Sequence, residues 1–272
     1  MDIQNDHFTF RRPENLFLSK IIEYYFFIDI PISQLTEEPE FMIPFPRITI
    51  GYFFEHPFMV VNDTLNKHQV INTAISRIST QKINVKPVTD RIKILGAHIR
   101  PFGLAYFTKK PINKLPWLIN TEELFGTIAK EFMQKVHLLS NTEEMFNAME
   151  NVFLENILTR DLPLITQAID LIELNCGHIE IAELSKQLEV SDRTLRNHFY
   201  EYIGCSPKEY FRVVKMKQIA YQMRNSENSL TQIAHDNNYF DQAHFNHEFK
   251  DITGQSPKNI RKEIPNFRFL QF

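Results

Sequence analysis

The last third of the chain repeats a short stretch: FYEYIGCSPK at residues 199–208 returns fifty residues later as FKDITGQSPK at residues 249–258. Each copy is typical of a helix that ends at a glycine, Gly204 or Gly254, followed by a serine N-cap and a proline in the first turn of the next helix. A short predicted helix and a turn precede each copy. The pattern therefore predicts two helix-turn-helix units, an arrangement that can bind two stretches of DNA groove at once.

The whole C-terminal part has helical periodicity, and we expect an all-α domain over residues 164–264. Ser191 and Asp241 are predicted N-caps of the second helix in each unit. The predicted helices lie at residues 164–175, 181–188, 191–203, 207–223, 230–237 and 241–253, with a last one from 257.

The N-terminal part, residues 1–160, is predicted to be a β-rich domain that ends in two helices. Runs rich in Ile, Val, Phe, Tyr and Thr are predicted strands, at residues 23–30, 47–54, 57–61, 74–80 and 92–100. Short strands at this spacing favour a barrel or a sandwich. Asn120 and Asn141 each stand three residues before a Glu, which predicts amphipathic helices over 121–137 and 142–158. The fold class is therefore α+β, and the two helices either pack on the β-domain or form a dimer surface.

Composition limits the class of protein. The 272 residues include 43% hydrophobic residues and 24 Phe, enough for a sizeable core. Uncharged apolar runs long enough to cross a membrane are absent from the sequence, and residues 1–6 lack the pattern of a signal peptide. Cys176 and Cys205 form no CxxC motif, so neither a disulfide framework nor a zinc framework is expected. These features predict a cytoplasmic protein that does not contact a membrane.

Charge argues against the simplest DNA-binding picture. Residues 164–272 carry 13 Lys and Arg against 14 Asp and Glu, so the predicted DNA-binding half is slightly acidic. Nucleic-acid-binding domains are usually basic. Either the basic side chains cluster on one face, or the affinity for DNA is modest and sensitive to salt.

The second helix of each unit would read the DNA bases, since its N-terminal residues meet base edges in the major groove. Leu195 and Phe199 in the first unit, and Phe245 and Phe249 in the second, should face the core. An ordinary solvated helix face is the alternative explanation for the residues that then point outward. The base-reading candidates are Asp192, Arg193, Arg196, Asn197, Gln242, His244, Asn246 and His247.

Phosphate contacts are expected from lysines near helix starts. Lys208 and Lys258 each follow a Ser-Pro pair, where the free N–H groups of the helix already favour anions. Solvated surface cations are again the alternative. The further candidates for phosphate contact are Lys215, Lys250, Arg261 and Lys262.

Residues 164–264 resemble the C-terminal DNA-binding domain of the AraC/XylS family of bacterial transcription regulators. The match rests on the helix that contains Ala234, on YxDQAHFxxxFK at residues 239–250, on GxSP at 254–257, and on the spacing of Ser191, Leu195 and Phe199. The resemblance implies two helix-turn-helix units joined by the helix over 207–223. It also implies double-stranded DNA as the main partner, with RNA polymerase as a further one.

The sequence departs from the family pattern at four positions. Asn238 and Glu189 stand where a turn glycine is usual, and Ser185 replaces a small Ala. Asn adopts the left-handed conformation more readily than Glu does. His247 stands where an Arg is frequent, and His is a weaker, pH-dependent DNA partner.

The N-terminal part resembles a sensor-like domain of one branch of these regulators, through EYYF at residues 23–26, LGAHIRPFG at 95–103, Phe107 and LFG at 124–126. That resemblance implies effector sensing or homodimerisation. An aromatic-rich barrel could hold an apolar small-molecule effector with Arg100 as its polar anchor. The alternative role for Arg100 is a structural ion pair.

Other chemistry finds little support. Asp241, His244, His247 and Glu248 have i, i+3 spacing but no third metal ligand of clear spacing, so no metal is expected. HExxH, GxSxG, Walker A and GxGxxG motifs are absent from the sequence, and we expect neither a cofactor nor an enzyme. The competing hypothesis is a ligand- or protein-binding adaptor whose helix-turn-helix half has lost DNA affinity.

Overall fold

The computed structural model describes residues 7–34, 40–42, 44–62, 67–80 and 82–263. Within these ranges the N-terminal part contains ten strands: β1 Phe8–Arg11, β2 Ile22–Pro31, β3 Glu40–Met42, β4 Ile48–Tyr52, β5 Phe58–Asn62, β6 Lys67–Ile71, β7 Thr73–Ser76, β8 Ile83–Pro87, β9 Arg91–Ile99 and β10 Leu118–Ile119. They form two antiparallel sheets, with strand orders β1-β2-β9-β4-β7-β10 and β3-β8-β5-β6.

The two sheets pack face to face. Alternate residues of β2 point to opposite sides of the larger sheet. Phe26 and Ile28 lie in a buried cluster with Phe58 and Val60 of the second sheet. Tyr25 points the other way and stacks on Phe146 and Phe153 of a helix. Neither sheet closes on itself among the described strands. Of the two predicted architectures, the sandwich is the one that forms.

Three helices cover the outer face of the larger sheet: α1 Thr121–Phe125, α2 Thr127–His137 and α3 Thr142–Asn156. Asn120 and Asn141 cap α1 and α3 as predicted, each accepting from backbone N–H groups of the first turn. The single helix predicted over 121–137 was wrong. Gly126 interrupts it with φ +60° and ψ −137°, a backbone conformation that essentially only glycine adopts.

The C-terminal part is helical, as predicted, and its helix ends fall close to the expected positions. Ser206 forms a full capping box with Glu209 at the start of the longest of these helices. The helices are α4 Pro163–Leu174, α5 Ile181–Gln187, α6 Asp192–Tyr202, α7 Pro207–Asn225, α8 Leu230–Asp236, α9 Gln242–Thr253 and α10 Pro257–Glu263. Helices α5 and α6 form the first helix-turn-helix unit, and α8 and α9 form the second.

The two units belong to different cores. One continuous buried cluster runs from the N-terminal domain through Leu195 and Phe199 of α6 to Val214 of α7. A separate cluster, from Met216 to Ile260, forms the interior of the second unit. Helix α7 contributes to both clusters, so it connects the second unit to a first unit that is packed against the N-terminal domain.

A buried ion pair also joins the two parts of the chain. The guanidinium of Arg47 donates to both carboxylate oxygens of Glu173 in α4, at 2.5 and 3.0 Å, and lies 2.7 Å from Glu23. The Tyr210 hydroxyl of α7 donates to the same carboxylate at 2.7 Å. Burial disfavours the charged form of Glu173, but Arg47 and the hydroxyl outweigh burial and hold its pKa below the ordinary value.

The turns of the two units contain residues with left-handed backbone. Glu189 has φ +55° and Asn238 has φ +58°. For a residue with a Cβ this conformation costs roughly 1–2 kcal/mol, and Asn reduces the cost because its side chain bonds locally. The departure from the glycine pattern is therefore a source of strain in the first turn.

We predict that Glu189→Gly raises the free energy of unfolding by about 0.5–1 kcal/mol, since the left-handed backbone strain exceeds the entropy cost of glycine. Asn238→Gly is the matched control, and its effect should be smaller because Asn tolerates the same φ. Urea denaturation of both variants measures the difference. A loss of stability in Glu189→Gly would contradict the strain at this turn.

We also predict that Glu173→Gln lowers the free energy of unfolding at pH 7 by about 1–3 kcal/mol, the usual worth of a hydrogen bond to a charged group. Because the folded pKa of Glu173 is depressed, its stabilisation is full above the ordinary carboxyl pKa and is lost as the pH falls through the lower folded value. Urea denaturation at pH 7 and near pH 3 should therefore show the wild type and the variant converging in acid.

The control for this prediction is Asp170→Asn, which removes a more exposed carboxylate that pairs with Arg100. Its cost should be under 1 kcal/mol, as for most surface ion pairs. A gap between wild type and Glu173→Gln that stays constant across this pH range would show that the Glu173 charge does not stabilise the fold.

Candidate nucleic-acid interface

The first of the two candidate reading helices, α6, is held in place by its N-cap and by its buried side. The N–H of Thr194 donates to the Ser191 side chain at 3.1 Å, and Leu195 and Phe199 are fully buried. The predicted base-reading residues of this helix therefore lie on the outer face, where Arg193, Arg196 and Asn197 are exposed and Asp192 is half-buried. Arg196 lies 3.8 Å from Asp192, a surface contact too weak to keep the guanidinium from a ligand.

The second reading helix, α9, has the same construction. Its cap is Asp241, whose carboxylate accepts from the N–H of His244 at 2.7 Å, and Phe245 and Phe249 face the core. The four predicted base-reading residues, Gln242, His244, Asn246 and His247, are all exposed. The capping and core residues thus present both predicted sets to solvent.

Helix α9 is held on α7 by ion pairs that the sequence analysis did not identify. Arg212 of α7 lies 3.2 Å from Glu248 and 2.6 Å from Asp251. Both acidic side chains lie on α9, so the guanidinium fixes the direction of the reading helix relative to α7. Arg212 is 36 positions from Glu248 and 39 from Asp251, so no local pattern in the sequence indicates these partners.

The predicted phosphate contacts divide into two groups. Lys208, Lys250, Lys258 and Lys262 are exposed. Lys215 instead places its ammonium 3.7 Å from the centre of the Tyr239 ring, and burial lowers its pKa.

Arg261 is also engaged within the chain. It donates to the backbone carbonyls of Asn228 at 2.6 Å and Ser226 at 3.1 Å. Both side chains therefore make contacts within the C-terminal domain. Lys215 joins α7 to the turn of the second unit, and Arg261 joins α10 to the loop at 226–228.

Arg100, the predicted anchor for an effector, pairs with Asp170 of α4 and lies 5.0 Å from the Phe102 ring. This geometry is that of a structural ion pair, the alternative role considered for Arg100. The space beneath α1 to α3, which is lined by Phe125, Phe132 and Phe153, measures about 20 Å³. That volume holds about one water, so the aromatic side chains fill this region.

A larger cavity lies between the two parts of the chain, with a volume of about 230 Å³. Arg47 and Glu173 line it, together with Lys217 of α7, whose ammonium is 5.3 Å from the Phe45 ring. Burial and the nearby Arg47 lower the pKa of Lys217. Its remaining lining residues are Pro46, Cys176, Val214, Gln218 and Tyr221.

Among the described residues, no group of three or more His, Cys, Asp or Glu side chains could hold a metal ion. Within the same part of the chain, the helices are too short or too polar to cross a membrane.

The C-terminal region is similar in sequence to known proteins. A family model described as a helix-turn-helix domain matches residues 184–263. The Msm operon regulatory protein of Streptococcus mutans is 32% identical over 88 residues, which are 32% of this chain and 32% of that protein. The transcriptional activator RhaS of Yersinia pestis is 29% identical over 99 residues, 36% of each chain. The match therefore spans about a third of the length of these curated relatives.

Solved structures extend the likeness to the whole fold. ToxT from Vibrio cholerae is 13% identical with a TM-score of 0.53, and the match covers 97% of this chain and 100% of that one. A second ToxT structure, bound to (E)-4-(8-methylnaphthalen-1-yl)but-3-enoic acid, has a TM-score of 0.51 at 12% identity, over 95% and 99% of the two chains. At these identities the likeness shows the fold alone. The matches in this region identify residues 184–263 as a helix-turn-helix domain, similar in sequence to that of the Msm operon regulatory protein and of RhaS.

Proposed function

We propose that this chain is a sequence-specific transcription regulator that binds double-stranded DNA with α6 and α9 in successive segments of the major groove. The observation that carries the proposal is the matched construction of the two helices. Each has a side-chain cap and a buried aromatic or aliphatic side, and each exposes polar side chains in its first two turns. An exposed N-terminal half on a firmly packed second helix is the geometry that base reading requires.

Base reading falls to the exposed polar residues of the two helices. Arg193 and Arg196 suit bidentate contact with guanine, and Asn197, Gln242 and Asn246 suit adenine. Asp192, His244 and His247 complete the proposed set. Phosphate contacts come from the exposed lysines Lys208, Lys250, Lys258 and Lys262, which fix the register of the protein on the duplex. Lys215 and Arg261 stabilise the second unit instead.

Control is assigned to the N-terminal domain. The first unit shares its core with that domain, so a change there would move α6 directly. We place a small-molecule effector in the 230 Å³ cavity between the two parts rather than at Arg100, because Arg100 pairs with Asp170 whereas the cavity has open volume lined by Lys217. A second copy of the chain and RNA polymerase are further proposed partners, and the cytoplasm is the proposed location.

Selection of bound fragments from a random DNA pool tests this function. The regulator predicts enrichment of a defined sequence that contains two recognition elements. Failure to retard any fragment at low or moderate salt would instead support the adaptor with a degenerate helix-turn-helix half.

We predict that Arg196→Ala weakens binding to the selected site by about 1–3 kcal/mol and relaxes the base preference at one position. Repeating the selection with the variant measures that preference. Arg196→Lys is the matched control, because it keeps the charge and loses the bidentate geometry. Equal weakening on all sequences, rescued by Lys, would assign Arg196 to a phosphate.

We predict that Lys258→Ala weakens all sites alike and reduces the slope of log affinity against log salt by about one. Fluorescence anisotropy at several salt concentrations measures the slope. Lys86→Ala removes an exposed cation of the N-terminal domain and should leave the slope unchanged. An unaltered slope in Lys258→Ala would remove this residue from the phosphate contacts.

A further inference from the structure

Phe240 is an apolar side chain that the fold leaves in water. It is 93% exposed, whereas Phe245 and Phe249 of the same unit are buried. A phenylalanine in this position forgoes the favourable free energy that burial of its ring would bring. Single exposed apolar residues are common, so the exposure of Phe240 is informative only because of its position in the turn.

The second turn is longer than the first by one residue, and Phe240 is the addition. In the first unit, one residue separates the left-handed Glu189 from the cap Ser191. In the second unit, two residues separate the left-handed Asn238 from the cap Asp241. The turn of the second unit is therefore one residue longer than the turn of the first unit.

The apolar contact expected before a helix cap is already made by Tyr239. Its ring centre lies 5.1 Å from that of Phe245, the fourth residue of the helix after the cap. A hydrophobic residue before the cap commonly packs against this fourth position. Because Tyr239 occupies the site, Phe240 is turned outward beside the first turn of the reading helix.

The neighbourhood of Phe240 favours a base over other ligands. Asp241, Gln242 and Asn238 are exposed and polar, so the ring does not belong to a continuous apolar patch of the size that protein partners use. The carboxylate of Asp241 disfavours a phosphate at this point. The apolar group that the major groove does offer is the 5-methyl group of thymine, which phenylalanine contacts well.

We propose that Phe240 determines specificity by packing on the methyl group of a thymine at the end of the segment read by α9. Ala243, the exposed second residue of α9, borders the same contact. The inference rests on the proposed DNA-binding function. It adds to the proposed base contacts an apolar residue that makes no hydrogen bond to a base.

The test uses the full chain and the DNA site obtained by selection. Each thymine is replaced in turn by deoxyuridine, which removes only the 5-methyl group. We expect one replacement to weaken wild-type binding about fourfold, which corresponds to about 0.8 kcal/mol for one buried methyl group. Phe240→Ala should bind the thymine and deoxyuridine sites equally, and Phe240→Leu should retain part of the preference.

Leu138→Ala is the matched control, since Leu138 is 83% exposed and lies outside the C-terminal domain. It should keep the full preference for thymine. Thermal unfolding should be unchanged in Phe240→Ala, because the side chain makes little contact within the fold.

The outcomes separate the two levels of the argument. If the wild-type chain selects no DNA sequence, the proposed function fails and this inference fails with it. If it selects a site, the inference alone is overturned when no thymine methyl matters or when Phe240→Ala keeps the preference. Normal DNA affinity with lost transcription in Phe240→Ala would likewise overturn it, in favour of a protein contact.

Discussion

The arrangement of the DNA-binding half depends on helix α7, which lies in two hydrophobic cores at once. Tyr210 and Val214 belong to the cluster shared with the N-terminal domain, and Met216 and Ile219 belong to the second unit. At 1.5 Å per residue, the 19 residues of α7 span about 28 Å. That length is comparable to the roughly 34 Å between successive turns of the major groove on one face of DNA. A helix buried along both halves cannot bend freely, so the fold itself sets the separation of α6 and α9.

Polar contacts made within the first two turns of α7 supplement the two cores. Near its start, Tyr210 donates to the carboxylate that Arg47 also binds. Further along, Arg212 pairs with Glu248 and Asp251 of α9. Two acidic residues of the C-terminal half pair with arginines of the N-terminal domain, Glu173 with Arg47 and Asp170 with Arg100. These pairs offset part of the acidic balance of that half.

Local features were predictable from the sequence because their causes are local. The Ser-Pro start of α7 and the Asp241 cap are set by residues within one turn, and the helix boundaries followed from them. Strands β1, β3, β6, β8 and β10 were missed. They are short or lack a long run of β-branched residues, and they are held by pairing with distant partners. The Arg47–Glu173 pair joins residues 126 positions apart, and no local pattern marks either of them.

The candidate site was predictable to the same degree and for the same reason. Helical periodicity placed the proposed base-reading residues on the outer face, since Leu195 and Phe245 had to be buried. Periodicity could not show that Lys215 packs on Tyr239 or that Arg100 pairs with Asp170, because both contacts depend on how helices meet. The same limit hid Phe240, whose exposure follows from a one-residue difference between two turns that only the backbone angles reveal.

The central claim is that two reading helices bind adjacent groove segments at a separation set by α7. Hydroxyl-radical footprinting of the full chain on its selected site measures this separation directly. The account predicts two protected segments about one helical turn, 10–10.5 base pairs, apart on the same face of the duplex. A single protected segment, or two segments on opposite faces, would contradict it.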